Sequence, residues 1–272
     1  MANVLAISSH VVRGAVGLAA TVPALQWLGH EVWALPTVLL ASRPGLGREV
    51  RLEVPVRDLV ATLSALEGDG CWASLDAVLA GYFPSPRAVT AAAETIRRIR
   101  MANPRIAVLV DPILGDDGRL YIAEETAEAI REQLLPLATT ATPNLFELRW
   151  LTGATTDSLA ELTSAARRLG PATVVVTSAA ETPDSVATLL VTDMQPVERR
   201  LPRRAEIPNG AGDLFAGLFL GYLLNGCDQA AALDASLTDL DRVLAASVNQ
   251  PVLQLRALGR GSVGPPGGRL TG

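Results

Sequence analysis

The chain has 272 residues, a hydrophobic fraction of 49% and a formal net charge of -5, which describes a globular protein with one sizeable core. Its dispersed basic residues and an aromatic content of 4% argue against nucleic acid as the main partner. All 23 basic residues are arginine. This excludes mechanisms that need a lysine, such as Walker A loops, protein kinases and enzymes that anchor a cofactor on an ε-amine.

The beginning of the chain and its few cysteines and histidines predict the compartment. The first residues enter an apolar segment without a basic signal region, and no apolar run reaches 18 residues, so we expect a cytoplasmic protein without a membrane partner. Cys71 and Cys227 lack metal-ligand spacing and are expected as reduced thiols. His10 and His30 belong to no nucleophile or metal pattern, and we expect structural roles for both.

Strands alternate with helices along the chain, which predicts an α/β fold with a mostly parallel central sheet and helices on both faces. The predicted strands cover residues 4–8, 31–36, 77–80, 106–110, 139–142 and 173–177. The predicted helices cover residues 17–28, 85–101, 123–135 and 158–169.

Four other segments complete the prediction. Residues 48–56 alternate charged and apolar side chains, which predicts a half-exposed strand outside the main sheet, in a small β lid. Residues 186–192 and 195–201 predict an antiparallel sheet edge, and residues 214–224 a buried helix. Residues 258–272 are rich in Gly and Pro and predict a mobile tail, so one domain is expected over residues 1–257.

The run N-G-A-G-D-L-F-A-G at residues 209–217 places the carboxylate of Asp213 in the first turn of that apolar helix. Gly210, Ala211 and Gly212 are small enough for a tight turn whose free N–H groups point outward. Such N–H groups and the helix dipole can hold a phosphate, with an acid beside it to act as a base. The pattern favours phosphoryl transfer to a hydroxyl, with an ordinary first-turn acid as the alternative.

Polar residues directly follow several predicted strands, where open α/β sheets bind ligands. These residues are Ser9, Asp111, Asp116, Thr142, Asn144, Glu147, Thr177 and Ser178. Asn144 and Glu147 share one face near a helix start, and with Asp116 they suit Mg²⁺ completed by water and phosphate. Thr177 and Ser178 offer hydroxyls to phosphate oxygens. Each residue alone also fits a structural role, such as a helix cap or a turn.

Five motifs, in this order and spacing, resemble those of pyridoxal kinases in the ribokinase-like superfamily: S-S-H-V-V-R-G-x-V-G, D-P-I-L-G-D, T-P-N-L-F-E-L-R-W-L-T-G, V-V-V-T-S and N-G-A-G-D-L-F-A-G. The likeness covers residues 4–247. It implies a ribokinase-like fold, a homodimer, and phosphorylation of the 5′-hydroxymethyl group of pyridoxal, pyridoxine or pyridoxamine with ATP and Mg²⁺. Dependence on a monovalent cation such as K⁺ stays open.

The resemblance also implies the roles of the site residues. Asp213 corresponds to the catalytic base, and Gly210, Ala211 and Gly212 to the anion hole for the transferred group. The substrate side is assigned to Ser9, Gly17, Arg43 and Asp213. The nucleotide side is assigned to Asp111, Thr142, Asn144, Thr177 and Ser178, and the metal to Asp116 and Glu147.

The chain departs from the family at three places. Arg43 stands where a histidine is usual, Leu18 where an asparagine is usual, and residues 179–185 form a short acidic loop where a basic one is usual. The preferred vitamer therefore stays open. A hydroxymethylpyrimidine kinase, which shares several of these motifs, is one alternative, although Ser9 and His10 argue against it. A catalytically weak vitamin B6 carrier is another alternative, although Asp213 and Glu147 argue against it.

Overall fold

The computed structural model describes residues 1–43, 46, 50–116, 118–155 and 158–259. Its strands are β1 (Asn3–Arg13), β2 (Glu31–Ser42), β3 (Arg51–Glu53), β4 (Ala77–Ala80), β5 (Ala107–Val110), β6 (Gly115–Asp116), β7 (Arg119–Leu120), β8 (Thr140–Ala141), β9 (Thr173–Glu181), β10 (Ser185–Val191) and β11 (Val197–Pro202). Its α-helices are α1 (Leu18–Trp27), α2 (Val56–Gly68), α3 (Pro86–Ala102), α4 (Glu124–Ala129), α5 (Leu145–Thr152), α6 (Leu159–Arg168), α7 (Ala211–Leu224) and α8 (Gln229–Ser247).

Nine of these strands form one sheet in the order β11-β10-β9-β8-β5-β4-β1-β2-β3, and β6 pairs with β7 in a separate hairpin. The six central strands from β9 to β2 run parallel. At one edge β10 and β11 are antiparallel to their neighbours, and at the other edge β3 is antiparallel to β2. The mostly parallel sheet and its antiparallel edge at β10 and β11 are confirmed.

The prediction that residues 48–56 lie outside the main sheet is wrong. Strand β2 continues to Ser42, and its residues Val38 to Leu40 pair with Arg51 to Glu53 of β3. The extension of β2 supplies backbone partners for a strand that the alternating pattern alone could not place. All three residues of β3 are exposed rather than half-exposed, and residues 48 and 49 lie outside the described part of the chain.

Helices cover both faces of the sheet, as predicted. Leu5 and Ile7 of β1 enter one core, which contains residues of α2, α3 and α4. Val4 of the same strand enters a second core, which contains residues of α1, α7 and α8. Successive strand residues point to opposite faces, so this alternation builds two cores from one strand. A smaller core joins α5 and α6 to β9 and β10.

The helical region predicted for residues 123–135 is present but irregular. Helix α4 ends at Ala129 and continues as a π-helical turn over Ile130–Leu134 and a 3-10 turn over Leu135–Leu137. Pro136, which has no N–H group to donate, lies in the last of these turns. The predicted helix therefore changes from an α-helical to a π-helical and then to a 3-10 hydrogen-bond pattern before it ends.

The remaining predictions concern the chain ends and single residues. His30 accepts a hydrogen bond from Ala2 N–H at Nδ1 (3.3 Å) and lies 2.9 Å from Gly221 O at Nε2, which agrees with a structural role.

Leu258, the first residue of the predicted tail, is 3% exposed and belongs to the second core. Residues 260–272 lie outside the described residues. Across the described chain, no helix has the length and apolar character needed to cross a membrane.

Helices α1 and α7 approach each other closely at Gly217. A Cβ atom on Gly217 would lie 3.0 Å from Thr21 O and 3.1 Å from Ala24 Cβ. Thr21 Oγ1 also donates a hydrogen bond to Asp213 O at 3.2 Å. The contact fixes the first turn of α7 beside the segment that precedes α1.

Replacing Gly217 by valine should destabilise the protein by about 1–3 kcal/mol, because the new side chain meets the backbone of α1. The free energy of unfolding in urea measures this effect. Gly68→Val is the matched control, since a Cβ at Gly68 meets no atom within 4 Å. Equal stability of the two variants would show that the helices move apart without cost.

Candidate active site

The first turn of α7 is built on a glycine that no other residue can replace without strain. Gly210 is the N-cap with φ of 112°, and a Cβ there would lie 1.9 Å from Ala15 O. Leu214 N donates to Gly210 O, so the N–H groups of Ala211 and Gly212 precede the first bond of the helix and have no partner within it. Gly212 is exposed, and a Cβ there would meet no atom within 4 Å. The turn therefore presents free donors to open space, an arrangement that can bind an anion.

Asp213 is the third residue of α7, and its carboxylate faces the segment before α1. The N–H groups of Gly17 and of Asp213 itself lie near this carboxylate. Burial raises the pKa of Asp213 to about 6, and the two N–H groups act against that rise because they favour the ionised form. A carboxyl group with a pKa near 6 can accept a proton at neutral pH more readily than an ordinary aspartate. The nearby N–H of Gly17, which is distant in sequence, distinguishes Asp213 from an acid that only favours its own helix start.

Ser9 and Gly17 lie in contact at the same place. Gly17 has φ of 57°, and a Cβ there would be 2.1 Å from Ser9 O and 2.4 Å from Ser9 Oγ. His10 and Gly17 are joined by an isolated antiparallel bridge. The structure thus brings Ser9 and Gly17 beside Asp213, which lies almost 200 residues further along the chain.

Asp111 and Thr142, at the ends of β5 and β8, form a second part of the site. Thr142 Oγ1 donates a hydrogen bond to Asp111 Oδ1 at 2.8 Å. Burial, together with the negative charge of Asp213, raises the pKa of Asp111 to about 7, while the hydrogen bond from Thr142 lowers it. A carboxyl group whose pKa is raised by a neighbouring carboxylate favours a proton or another cation beside it.

Glu147 is bound on both carboxylate oxygens by backbone N–H groups. Its Oε2 accepts from Asn144 N at 2.8 Å, while Asn144 Oδ1 accepts from Glu147 N at 2.8 Å, which forms a capping box at the start of α5. Its Oε1 accepts from Leu114 N at 2.9 Å and from Gly115 N at 3.4 Å. Burial and the charge of Asp111 raise the pKa of Glu147 well above its usual value. Glu147 therefore ties the turn before β6 to α5.

The metal site expected at Asp116 and Glu147 fits the structure only in part. Within the described ranges, no group of three or more His, Cys, Asp and Glu side chains could hold a metal ion. The Glu147 oxygens accept backbone hydrogen bonds, whereas Asp116 is exposed at the end of β6. Asn144 Nδ2 also donates to Gly115 O at 2.9 Å. Asn144 and Glu147 thus hold the turn that carries Asp116, and Asp116 could supply one ligand to a metal that binds with phosphate.

A cavity of about 350 Å³ opens beside the start of α7. It lies between the β9–β10 hairpin, the chain that follows β11, and helices α7 and α8. The polar residues among those lining it are Thr177, Ser178, Glu181, Thr188, Arg203 and Arg204, and Gly212 also lines it. Its apolar residues include Val186, Ile207 and Phe215. A cavity lined by both apolar and polar residues suits a planar ring attached to a charged group.

Sequence reasoning missed several residues at this edge of the sheet. Arg203 and Arg204 directly follow β11 and pair with Glu181 (3.2 Å) and Asp241 (2.5 Å). Tyr82 follows β4, and its N–H donates to Ser8 Oγ at 3.0 Å. Their position after strands was the available signal, because it is the same signal that indicated Ser9 and Asp111.

All three family departures lie in the described part of the chain. The loop expected over residues 179–185 is shorter than predicted, because β9 continues to Glu181 and β10 begins at Ser185. Leu18 is the first residue of α1 and is 2% exposed. Arg43 follows β2, and its Nε donates to Pro251 O at 3.0 Å, so its guanidinium group is engaged by the chain after α8. Residues 44 and 45, the next two of the substrate loop, lie outside the described residues.

Glu147→Gln should destabilise the protein by about 1–3 kcal/mol, because the amide N–H₂ of glutamine would face a backbone N–H and leave it unpaired. Urea unfolding measures the loss. Glu161→Gln is the matched control, since Glu161 occupies the same third position of α6 but is exposed. We expect its stability to change by less than about 0.5 kcal/mol. Equal losses in the two variants would contradict the role given to Glu147.

The family model described as phosphomethylpyrimidine kinase matches residues 58–250. A relative from Bordetella avium, named pyridoxine/pyridoxal/pyridoxamine kinase, is 38% identical over 250 residues, which cover 89% of this chain and 84% of the relative. A relative from Corynebacterium diphtheriae, named pyridoxal kinase PdxY, is 34% identical and covers 85% of this chain and 84% of its own.

Solved structures with the same fold include two that share more than a quarter of the sequence. The pyridoxal kinase from Leishmania donovani in complex with ADP and pyridoxamine has a TM-score of 0.88 and 28% identity, and the match covers 94% of each chain. The pyridoxal kinase from Entamoeba histolytica has a TM-score of 0.88 and 26% identity, again over 94% of each chain.

Proposed function

The chain belongs to the pyridoxal kinase family, with a ribokinase-like fold, and we propose that it transfers the γ-phosphoryl group of ATP to the 5′-hydroxymethyl group of a B6 vitamer. One observation of the site supports this reaction independently of the family assignment. The carboxylate of Asp213 lies near the N–H of Gly17, beside Ser9, and in the same helix turn as the free N–H groups of residues 211 and 212. A base and an anion site therefore lie side by side.

In this proposal Asp213 accepts the proton of the substrate hydroxymethyl group. The oxygen forms a bond to the γ-phosphorus, and the bond from that phosphorus to the leaving ADP oxygen breaks. The N–H groups of Ala211 and Gly212 stabilise the charge on the transferred group, as in other phosphoryl transfers that depend on positioning and electrostatics. Ser9 and Gly17 hold the pyridine ring of the acceptor on the side of β1, and no lysine is needed.

The nucleotide is proposed to occupy the cavity beside α7, with its base against the apolar residues and its phosphates directed toward Gly212. Thr177 and Ser178 line this cavity and offer hydroxyls to the phosphates. Thr142, Asn144 and Asp111 act from the neighbouring strand ends. Mg²⁺ neutralises phosphate charge when it is bound, with Asp116 as a ligand and Glu147 holding the turn that carries Asp116.

The homodimer and the magnesium requirement, which the family resemblance implies, also belong to this proposal. So does the cytoplasmic location, which is expected from the sequence. K⁺ dependence is an open part of it. The alternative substrate is a hydroxymethylpyrimidine, which the family model described as phosphomethylpyrimidine kinase favours. The names of the relatives from Bordetella avium and Corynebacterium diphtheriae favour a B6 vitamer.

The proposed function is tested by offering pyridoxal, pyridoxine, pyridoxamine and hydroxymethylpyrimidine in parallel with ATP and Mg²⁺, with product identification by mass spectrometry. We expect phosphorylation of at least one B6 vitamer at a higher kcat/KM than that of the pyrimidine. Preference for the pyrimidine would reassign the substrate. Binding of pyridoxal without turnover would support a carrier instead.

Asp213→Asn should lower kcat by ~10²-fold or more while ATP binding remains, because the amide cannot accept the substrate proton. In the unsubstituted protein, the base works only when it is deprotonated. Its pKa is raised to about 6, so kcat/KM should be full above that pH and decline as the pH falls through it. Steady-state kinetics across pH measure both effects.

The control for this variant is Asp193→Asn, at an exposed aspartate that lies between β10 and β11. It should retain the activity and the pH profile of the unsubstituted protein. Turnover of Asp213→Asn near that of the control would remove Asp213 from the mechanism.

A further inference from the structure

Arg43 joins three segments that are distant in sequence. Its Nε–H donates to Pro251 O at 3.0 Å. Its backbone N–H donates to Arg13 O at 3.3 Å. Its side-chain stem covers Gly14, where an added Cβ would lie 3.6 Å from Arg43 Cβ and 3.8 Å from Arg43 Cγ. The end of β2, the segment after β1 and the chain after α8 therefore meet at one arginine.

The chain after α8, residues 249–255, is called here the C-terminal strap. Leu253 of the strap is 4% exposed, and its Cδ1 lies 3.2 Å from the position that a Cβ on Gly210 would take. Asn249 N–H donates to Glu206 O at 3.3 Å. The strap thus packs on the N-cap of α7 and is bonded to the chain that leads into it.

These contacts close a ring around the candidate site. The strap connects Arg43 to Gly210, and Gly210 lies against Ala15 O. Ala15 follows Gly14, which supports the stem of Arg43. Gly17, two residues further, has its N–H near the carboxylate of Asp213. Release of Arg43 would open the ring and leave the strap connected to the segment on which the acceptor is proposed to lie only through the start of α7.

We propose that Arg43 is a positioning residue, which sets the acceptor side of the site against the start of α7 through the C-terminal strap. This inference rests on the proposed function and replaces the expectation that Arg43 contacts the substrate. An arginine suits the role, because its guanidinium group keeps its charge at all relevant pH values and donates from a fixed plane. A hydrogen bond from a charged donor is also stronger than one between neutral groups.

The test compares Arg43→Ala and Arg43→Lys with the unsubstituted protein by kinetics and by hydrogen exchange. In Arg43→Ala we expect the KM for pyridoxal to rise about tenfold, because one hydrogen bond from a charged group is lost. We expect kcat and the KM for ATP to change less than about twofold. Amide exchange in residues 249–255 should become faster. Arg43→Lys keeps a charged donor and should recover part of both effects.

Arg57→Ala is the matched control, since the side chain of Arg57 is 85% exposed and pairs with the adjacent Asp58. It should change neither KM nor exchange in the strap. A raised KM with unchanged exchange in residues 249–255 would overturn the proposal in favour of direct substrate contact. Faster exchange with an unchanged KM would overturn it in favour of a purely structural contact.

Failure of the proposed function would appear separately, as absence of pyridoxal phosphorylation by the unsubstituted protein. The KM comparison would then use the acceptor that is phosphorylated. The exchange measurement does not depend on turnover. If Arg43→Ala fails to fold, KM and amide exchange are measured on Arg43→Lys instead. A KM and an exchange rate equal to those of the unsubstituted protein would show that any charged donor is sufficient. That result would overturn a role specific to arginine geometry.

Discussion

The candidate site depends on one contact, between the first turn of α7 and the segment that joins β1 to α1. Gly210 lies so close to Ala15 O that a side chain cannot be placed there, and the N–H of Gly17 lies near the carboxylate of Asp213. Gly217, two turns further along α7, allows the same helix to lie against α1. Residues seven positions apart share a helix face, so the two glycines set one face of α7 against a single stretch of chain.

Several carboxyl groups with raised pKa values belong to the site beside this contact. Burial raises the pKa of Asp111, Asp213 and Glu147, and the charges of Asp213 on Asp111 and of Asp111 on Glu147 act in the same direction. Backbone N–H groups and Thr142 offset part of that cost. A bound cation would lower the pKa values of these groups, because it favours their ionised forms. The site is therefore electrostatically suited to a substrate that arrives with a metal ion.

Much of the fold could be predicted from local patterns, since the parallel strands are apolar runs and α3 has a serine cap followed by proline. The antiparallel pairing of β3 could not, because it depends on an extension of β2 that no local signal marks. The site was predictable where polar residues follow strands, as with Ser9, Asp111 and Asn144. The partner of Arg43 was not predictable, since a hydrogen bond to a backbone carbonyl 208 residues away leaves no trace in the sequence. The spacing of Asn144 and Glu147 correctly predicted that both lie on one helix face. The same spacing is also that of a capping box, and these two residues form a capping box in the structure.

The arginines around the site have a chemical consequence for the proposed substrate. Pyridoxal and its phosphate are aldehydes, which condense with primary amines to form imines. A lysine beside the bound vitamer would present such an amine to the substrate or the product. A guanidinium group keeps its proton and does not react in this way. Because the chain has no lysine, no side chain of this protein can hold the aldehyde as an imine.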